Sequence, residues 1–147
     1  MRLVEEHLSL KAFVVLMKSS KSVMDIIEKD IRTYGMKTSQ FIVLKALYHK
    51  GKLTIQQISE AVLIKTGSIT YVIDQLEMKG WLKREPCQKD RRVVYIQLTN
   101  NGKQIMEEIF PKHWAVIEEI FSVLSVEEKE QMIDILKKVG QKGVCTS

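Results

Sequence analysis

Only two cysteines occur among the 147 residues, Cys87 and Cys145, too few for a disulfide framework and at no metal-ligand or redox-pair spacing. The three histidines, at 7, 49 and 113, are scattered without an H-x-x-x-H or Cys/His pair, so surface or interface histidines are a simpler reading than a metal site. A nucleophile elbow, a phosphate-cradling glycine loop and paired carboxylates are also missing, which leaves an enzyme without a reaction centre. No apolar run approaches the length of a membrane span, and the start MRLVEEHLSLK lacks the basic-then-apolar order of a secretory signal. A cytoplasmic protein with no membrane partner, no metal and no cofactor is expected.

What remains is a chain of one domain's size with a net charge of +5. Residues 1–50 hold nine basic against five acidic side chains, 51–99 eight against five, and 100–147 six against eight. The front two-thirds is therefore the basic part. Lys79, Lys83, Arg84, Lys89, Arg91 and Arg92 crowd into residues 79–92, where a polyanion would be felt most strongly, although charge alone favours a solvated surface hairpin.

The stretch 53–99 organises the chain. Thr54 is placed to cap a short helix with Ile55, Ile58 and Val62 on one stripe. After a tight turn a second helix follows, in which Ile69, Val72, Ile73 and Leu76 fall at i, i+3, i+4 and i+7. Ser68, Tyr71, Asp74, Gln75 and Met78 look away from that stripe and are available to a partner. Two short helices joined this way predict a helix-turn-helix. Gly80 can end the second helix, and the segments 81–85 and 92–98 have strand character around a basic turn. Leu53 supplies a minimal third strand.

The run SITYVIDQLEMKGWLKRE at 68–85, followed by Asp90, Arg92, Ile96, Leu98, Thr99 and Gly102 in a D-x-R-x-x-x-[IV]-x-L-T-x-x-G pattern, resembles the winged helix-turn-helix of the MarR family of bacterial transcription regulators. The phrases RTYGMKTSQFIVLKALYHKG at 32–51, SITYVIDQLEMKGW at 68–81 and EIFPKH at 108–113 look more like the MhqR-type branch, whose members respond to quinones and hydroquinones. The resemblance implies a mainly α fold with a small β-hairpin wing, flanked by long dimerisation helices. Division into an N-terminal dimerisation helix (1–34), a DNA-binding domain (35–99) and C-terminal dimerisation helices (100–147) follows. It also implies a homodimeric repressor on double-stranded DNA, released by a small aromatic effector bound in a cleft between wing and helical domains.

The flanking segments read as helices. From Glu6 to Tyr34 there is no Gly or Pro, and Phe13, Leu16, Met17, Val23, Met24, Ile27 and Ile31 recur at helical spacing until Gly35. Thr38 or Ser39 is expected to cap the next helix, which Gly51 ends. Thr99 opens a helix of about 25 residues, ~37 Å long, with Ile105, Ile109, Trp114, Ile117, Ile120 and Leu124 as its stripe and a kink expected before Pro111. Ser125 and Glu128 form a capping box for the last helix, whose tail Gly140 and Gly143 should fray.

DNA-contacting residues can be assigned by element. Lys65, Thr66, Ser68 and Tyr71, in the first half of the recognition helix, together with Gln75, are placed to reach phosphates and base edges in the major groove. Thr66 and Ser68 also read as simple caps. Arginines that many relatives carry at the positions of Tyr71 and Gln75 are absent here. By the resemblance Arg92 enters the minor groove, with Arg84 and Arg91 beside it in the wing, and Asp90 orients an arginine, either Arg92 or Arg84. Cys87 is the candidate redox residue, yet neither cysteine sits in an electropositive cage, and the first helix lacks the cysteine of the family's peroxide sensors. Two other readings stay open: a winged-helix module whose basic hairpin binds protein or RNA, and a thiol oxidoreductase.

Overall fold

The computed structural model describes residues 2–62 and 66–145, with side chains described for 7–62 and 68–141. Six helices and a three-stranded antiparallel sheet follow in the order α1 (Arg2–Thr33), α2 (Thr38–Lys50), β1 (Leu53–Thr54), α3 (Ile55–Val62), α4 (Thr66–Met78), β2 (Leu82–Pro86), β3 (Val94–Leu98), α5 (Asn100–Phe121) and α6 (Val126–Cys145). The chain forms two compact units, residues 1–113 and 114–147.

Local sequence accounts for most boundaries. Thr54 and Gln57 close a reciprocal cap on α3, Thr54 Oγ1 accepting from the Gln57 N–H at 3.1 Å and Gln57 Oε1 from the Thr54 N–H at 2.9 Å. Ser125 and Glu128 do the same for α6. At the end of α4, Gly80 takes φ +79° while its N–H reaches the Glu77 carbonyl and the Trp81 N–H reaches that of Leu76. This paired-bond ending turns the chain sharply into the wing, at a φ that a residue with a Cβ rarely adopts.

In the unit 1–113, the predicted stripe of α4 is fully inside: Ile69, Val72, Ile73 and Leu76 pack with Ile58 of α3, Phe41, Val43, Leu44 and Leu47 of α2, and Leu82, Ile96 and Leu98 of the sheet. Each such side chain contributes roughly 1.5–3 kcal/mol by leaving water. The sheet order is β1-β3-β2, with Leu53 opposite Ile96 and Leu82 opposite Leu98. Inward positions therefore alternate along β2 and β3 as the sequence requires. The two wing strands are one or two residues displaced from the 81–85 and 92–98 expected, since Trp81 belongs to the helix ending and Arg92 to the tip.

The junction behind the wing explains the T-x-x-G part of the motif. Thr99 Oγ1 donates to the Gly80 carbonyl at 2.6 Å and accepts from the Gly102 N–H at 3.1 Å, while the Thr99 N–H donates to the Trp81 carbonyl at 3.1 Å. One threonine thus caps α5 and ties it to the end of α4. Gly102 faces the Trp81 carbonyl so closely that a Cβ there would lie 1.9 Å from its oxygen.

Several expectations need correction. Helix α1 starts at Arg2 rather than Glu6, and α2 starts at Thr38 with Lys37 before it, so neither Thr38 nor Ser39 is the cap; the Lys37 N–H instead donates to Gln40 Oε1 at 3.0 Å. Helix α5 includes Pro111, as expected, and α6 extends through Gly140 and Gly143 to Cys145. Trp114 is exposed although its spacing placed it on the apolar stripe, whereas His113 is buried at 3% exposure although it was read as a surface or interface histidine. The buried face of α5 is Gly102, Met106, Ile109 and His113.

His113 sits against the Phe41 ring at 4.6 Å between centroids, and its Nδ1 is 3.6 Å from Asp30 Oδ2, too far for a hydrogen bond. The Tyr34 hydroxyl already donates to both Asp30 oxygens, at 2.8 and 2.9 Å. Burial, reinforced by the positive charge of Lys45 and opposed by Asp30, depresses the His113 pKa. A base whose folded pKa is lowered is neutral in the fold and takes its proton more readily when unfolded. Its contribution to stability is present above the unfolded value near ~6.5 and is lost as pH falls below that toward the folded pKa. His113→Phe, which keeps a ring against Phe41, is therefore expected to flatten the fall in denaturation midpoint between pH 7 and 5. An unchanged slope would place the titrating group elsewhere.

Candidate nucleic-acid interface

The outward face of α4 and the wing tip are exposed surfaces of the unit 1–113. On α4, Tyr71 is 62% and Met78 89% exposed, with Ser68 and Asp74 also open. Lys65 lies outside the described residues, and of Thr66 only the backbone is described, as the first residue of α4.

Gln75 is not free on that face. It is half-buried, and its Oε1 accepts from Gln40 Nε2 at 3.2 Å, tying α4 to α2. Gln40 itself is 4% exposed and also completes the N-terminus of α2 through its Oε1. Sequence reasoning missed this pairing, because it links residues 35 positions apart. The only local signal was the amide at the third position of α2.

The wing tip is built by short-range bonds. The Cys87 N–H donates to the Val93 carbonyl at 2.9 Å, closing the hairpin, and the Val93 N–H to that of Asp90 at 3.0 Å, forming a turn. Asp90 Oδ1 accepts from the Arg92 N–H at 3.1 Å and from Arg92 Nε at 3.2 Å. The backbone bond first, and the side-chain bond after it, hold the Asp90 carboxyl below its ordinary pKa. Between the two partners left open by the sequence, Asp90 thus takes Arg92. The Arg92 side chain remains 91% exposed, so its guanidinium is aimed without being covered. Lys89 and Arg91, also in the tip, are exposed, as is Lys83 farther back on β2 opposite Gln97.

Arg84 is elsewhere. It reaches from β2 back to α4, Nη2 on Asp74 Oδ1 and Nη1 on Glu77 Oε1, both at 2.6 Å. The bond to Asp74 above all, opposed by partial burial and aided by the charge of Glu77, raises its pKa, so it stays charged throughout the accessible range. Partly exposed pairs of this kind contribute about 0.2–1 kcal/mol each to stability.

Cys87 is half-buried where β2 enters the wing tip, and Lys52, Glu85, Lys89 and Tyr95 share its concave surface. Lys52 Nζ lies 4.9 Å from the centre of the Tyr95 ring, and Lys79 Nζ 4.7 Å from that of Trp81, so two of these cations rest on aromatic faces. The Cys145 side chain lies outside the described residues. Among the described residues no group of His, Cys, Asp and Glu is arranged to hold a metal ion, and no helix is long and apolar enough to cross a membrane.

Comparison with known proteins matches residues 36–94 to the MarR family. Over 90% of its length the chain is 46% identical to the HTH-type transcriptional regulator MhqR of Bacillus subtilis, of which it covers 91%. Among solved structures it superposes on AbsC, a MarR family transcriptional regulator from Streptomyces coelicolor, with a TM-score of 0.85 at 20% identity, covering 90% of this chain and 92% of AbsC. It also superposes on BpsR of Bordetella bronchiseptica, whose DNA binding is regulated by 6-hydroxynicotinic acid, with a TM-score of 0.78 at 24% identity over 88% of this chain and 98% of BpsR. At such identities these two structures speak to the fold alone.

Proposed function

The chain belongs to the MarR family of transcriptional regulators, and from that premise we propose that it is a homodimeric, cytoplasmic repressor that binds an inverted-repeat operator and is released by a small aromatic signal. The observation that carries the DNA reading is the pairing of an exposed α4 face around Tyr71 with an exposed, carboxylate-aimed Arg92 on the same compact unit. The first suits the major groove and the second a narrow, A·T-rich minor groove. A salt titration with operator and scrambled duplex tests it. A preference of several kcal/mol for the operator is expected at every salt concentration, whereas salt-dependent binding without preference would mark a generic basic surface.

Dimerisation is supported by exposed apolar side chains on the terminal helices. Leu8, Leu10, Phe13, Val15 and Met17 are exposed on α1, and Ile133, Ile135 and Val139 on α6. Helix α1 would be ~48 Å long at 1.5 Å per residue, but only its last turns, at Ile27 and Ile31, join the core of the first unit. Sedimentation at micromolar concentration is expected to give a dimer; a stable monomer would contradict the proposal. Two-fold symmetry would then set the two α4 helices about one DNA turn apart.

For the signal, the resemblance to the MhqR-type branch favours a small phenolic, hydroquinone or quinone. Quinones can also alkylate thiols, so pocket binding and modification of Cys87 predict the same loss of DNA binding. Non-covalent binding is the reading favoured here, because a differential affinity of a few kcal/mol suffices to shift the population. A Cys87→Ser, Cys145→Ser protein is expected to release operator when hydroquinone is added under reducing conditions. Retention by the double variant, with an adduct mass on the unmodified protein, would make Cys87 the sensor.

A further inference from the structure

We propose that Arg84 is a positioning residue, which contacts no DNA and instead locks the wing to the recognition helix so that the two reading elements keep one relative angle. The inference rests on the operator-binding reading above. It starts from the register of the sheet: Arg84 stands opposite Ile96, two residues after Leu82, and so occupies an inward position between buried neighbours. A residue meant for phosphate would sit on the open face, as Lys83 does. The Arg84 side chain is 29% exposed, and both its terminal nitrogens are spent on carboxylates one turn apart on α4. Asp74 and Glu77 would otherwise be two acids on a helix that approaches phosphates, which repel them. As partners of one planar fork they become a bracket, a geometry that the single ammonium of lysine does not reproduce.

The sign of the effect separates positioning from charge. On a duplex selected by the unaltered protein, Asp74→Asn with Glu77→Gln removes two negative charges; if Arg84 were a DNA contact, freeing it would tighten binding. A bracket predicts the opposite, weakening of roughly tenfold, the scale of one lost groove contact. Arg84→Met should weaken binding similarly with an unchanged salt slope, and combining all three changes should cost no more than Arg84→Met alone. Preference for the flanking A·T pairs read by the wing should fade while preference within the half-sites persists. Arg84→Lys should restore little. In the free protein, spin labels at Met78 and Arg91 in a cysteine-free background should give a narrow distance distribution that broadens in both the Arg84→Met and the Asp74→Asn, Glu77→Gln proteins. Tighter binding by the acid variants, a salt slope lowered by about one in Arg84→Met, or an unchanged distance distribution would each overturn the proposal. Failure of the unaltered protein to select any duplex would instead defeat the operator reading, and the distance measurement would still decide the bracket.

Discussion

Gly102→Ala is expected to destabilise the protein by about 3 kcal/mol or more, the upper range for overpacking a closed site. The new methyl carbon would lie 1.9 Å from the Trp81 carbonyl oxygen, and both atoms belong to backbone. No side chain can rotate to relieve them. The carbonyl cannot retreat cheaply either, since it accepts the Thr99 N–H, and Thr99 in turn holds the Gly80 carbonyl and caps α5. Moving α5 away would open the packing of Met106 and Ile109 in the core. Denaturant titration of both proteins at one concentration, so that association does not confound the midpoints, measures the loss. A change below about 0.5 kcal/mol would show that the junction relaxes and that the glycine is not required by the approach.

Arg92→Ala is expected to weaken operator binding by about 1–3 kcal/mol, or roughly 5- to 150-fold, and to flatten the preference for A·T pairs flanking the half-sites. The side chain is exposed and fixed only at its root by Asp90, so its loss should leave the fold intact. The narrow minor groove concentrates negative potential, which an alanine cannot use. Unchanged affinity and salt slope, measured on the same duplexes, would remove the wing from the interface.

What was legible in the sequence, and what was not, divides by range. The stripe of α4, the cap at Thr54, the capping box at Ser125 and the role of Gly80 are set by residues within a few positions of one another, and spacing reveals them; the wing strands were legible from their alternation and the turn between them. Partners that meet only through the fold stayed hidden. Gln75 appeared on the outward face by period alone, yet the half-buried edge of that face meets Gln40. Arg84 looked like one more wing cation, because its two carboxylates lie on the preceding helix. His113 and Trp114 exchanged their expected environments, since the stripe of α5 was drawn through one continuous pattern, whereas the first compact unit ends at His113. Of the apolar positions expected on α1, only Ile27 and Ile31 join the core, and helical spacing does not say which surface covers the exposed ones.

The central claim is that α4 and the wing read DNA as a two-fold pair. Its most direct test is to sequence the duplexes that the purified full-length protein selects from a random pool. An inverted repeat with half-site centres about one helical turn apart and A·T-rich flanks is expected. Enrichment of a single unsymmetric site, or of no sequence at all despite salt-dependent binding, would contradict it.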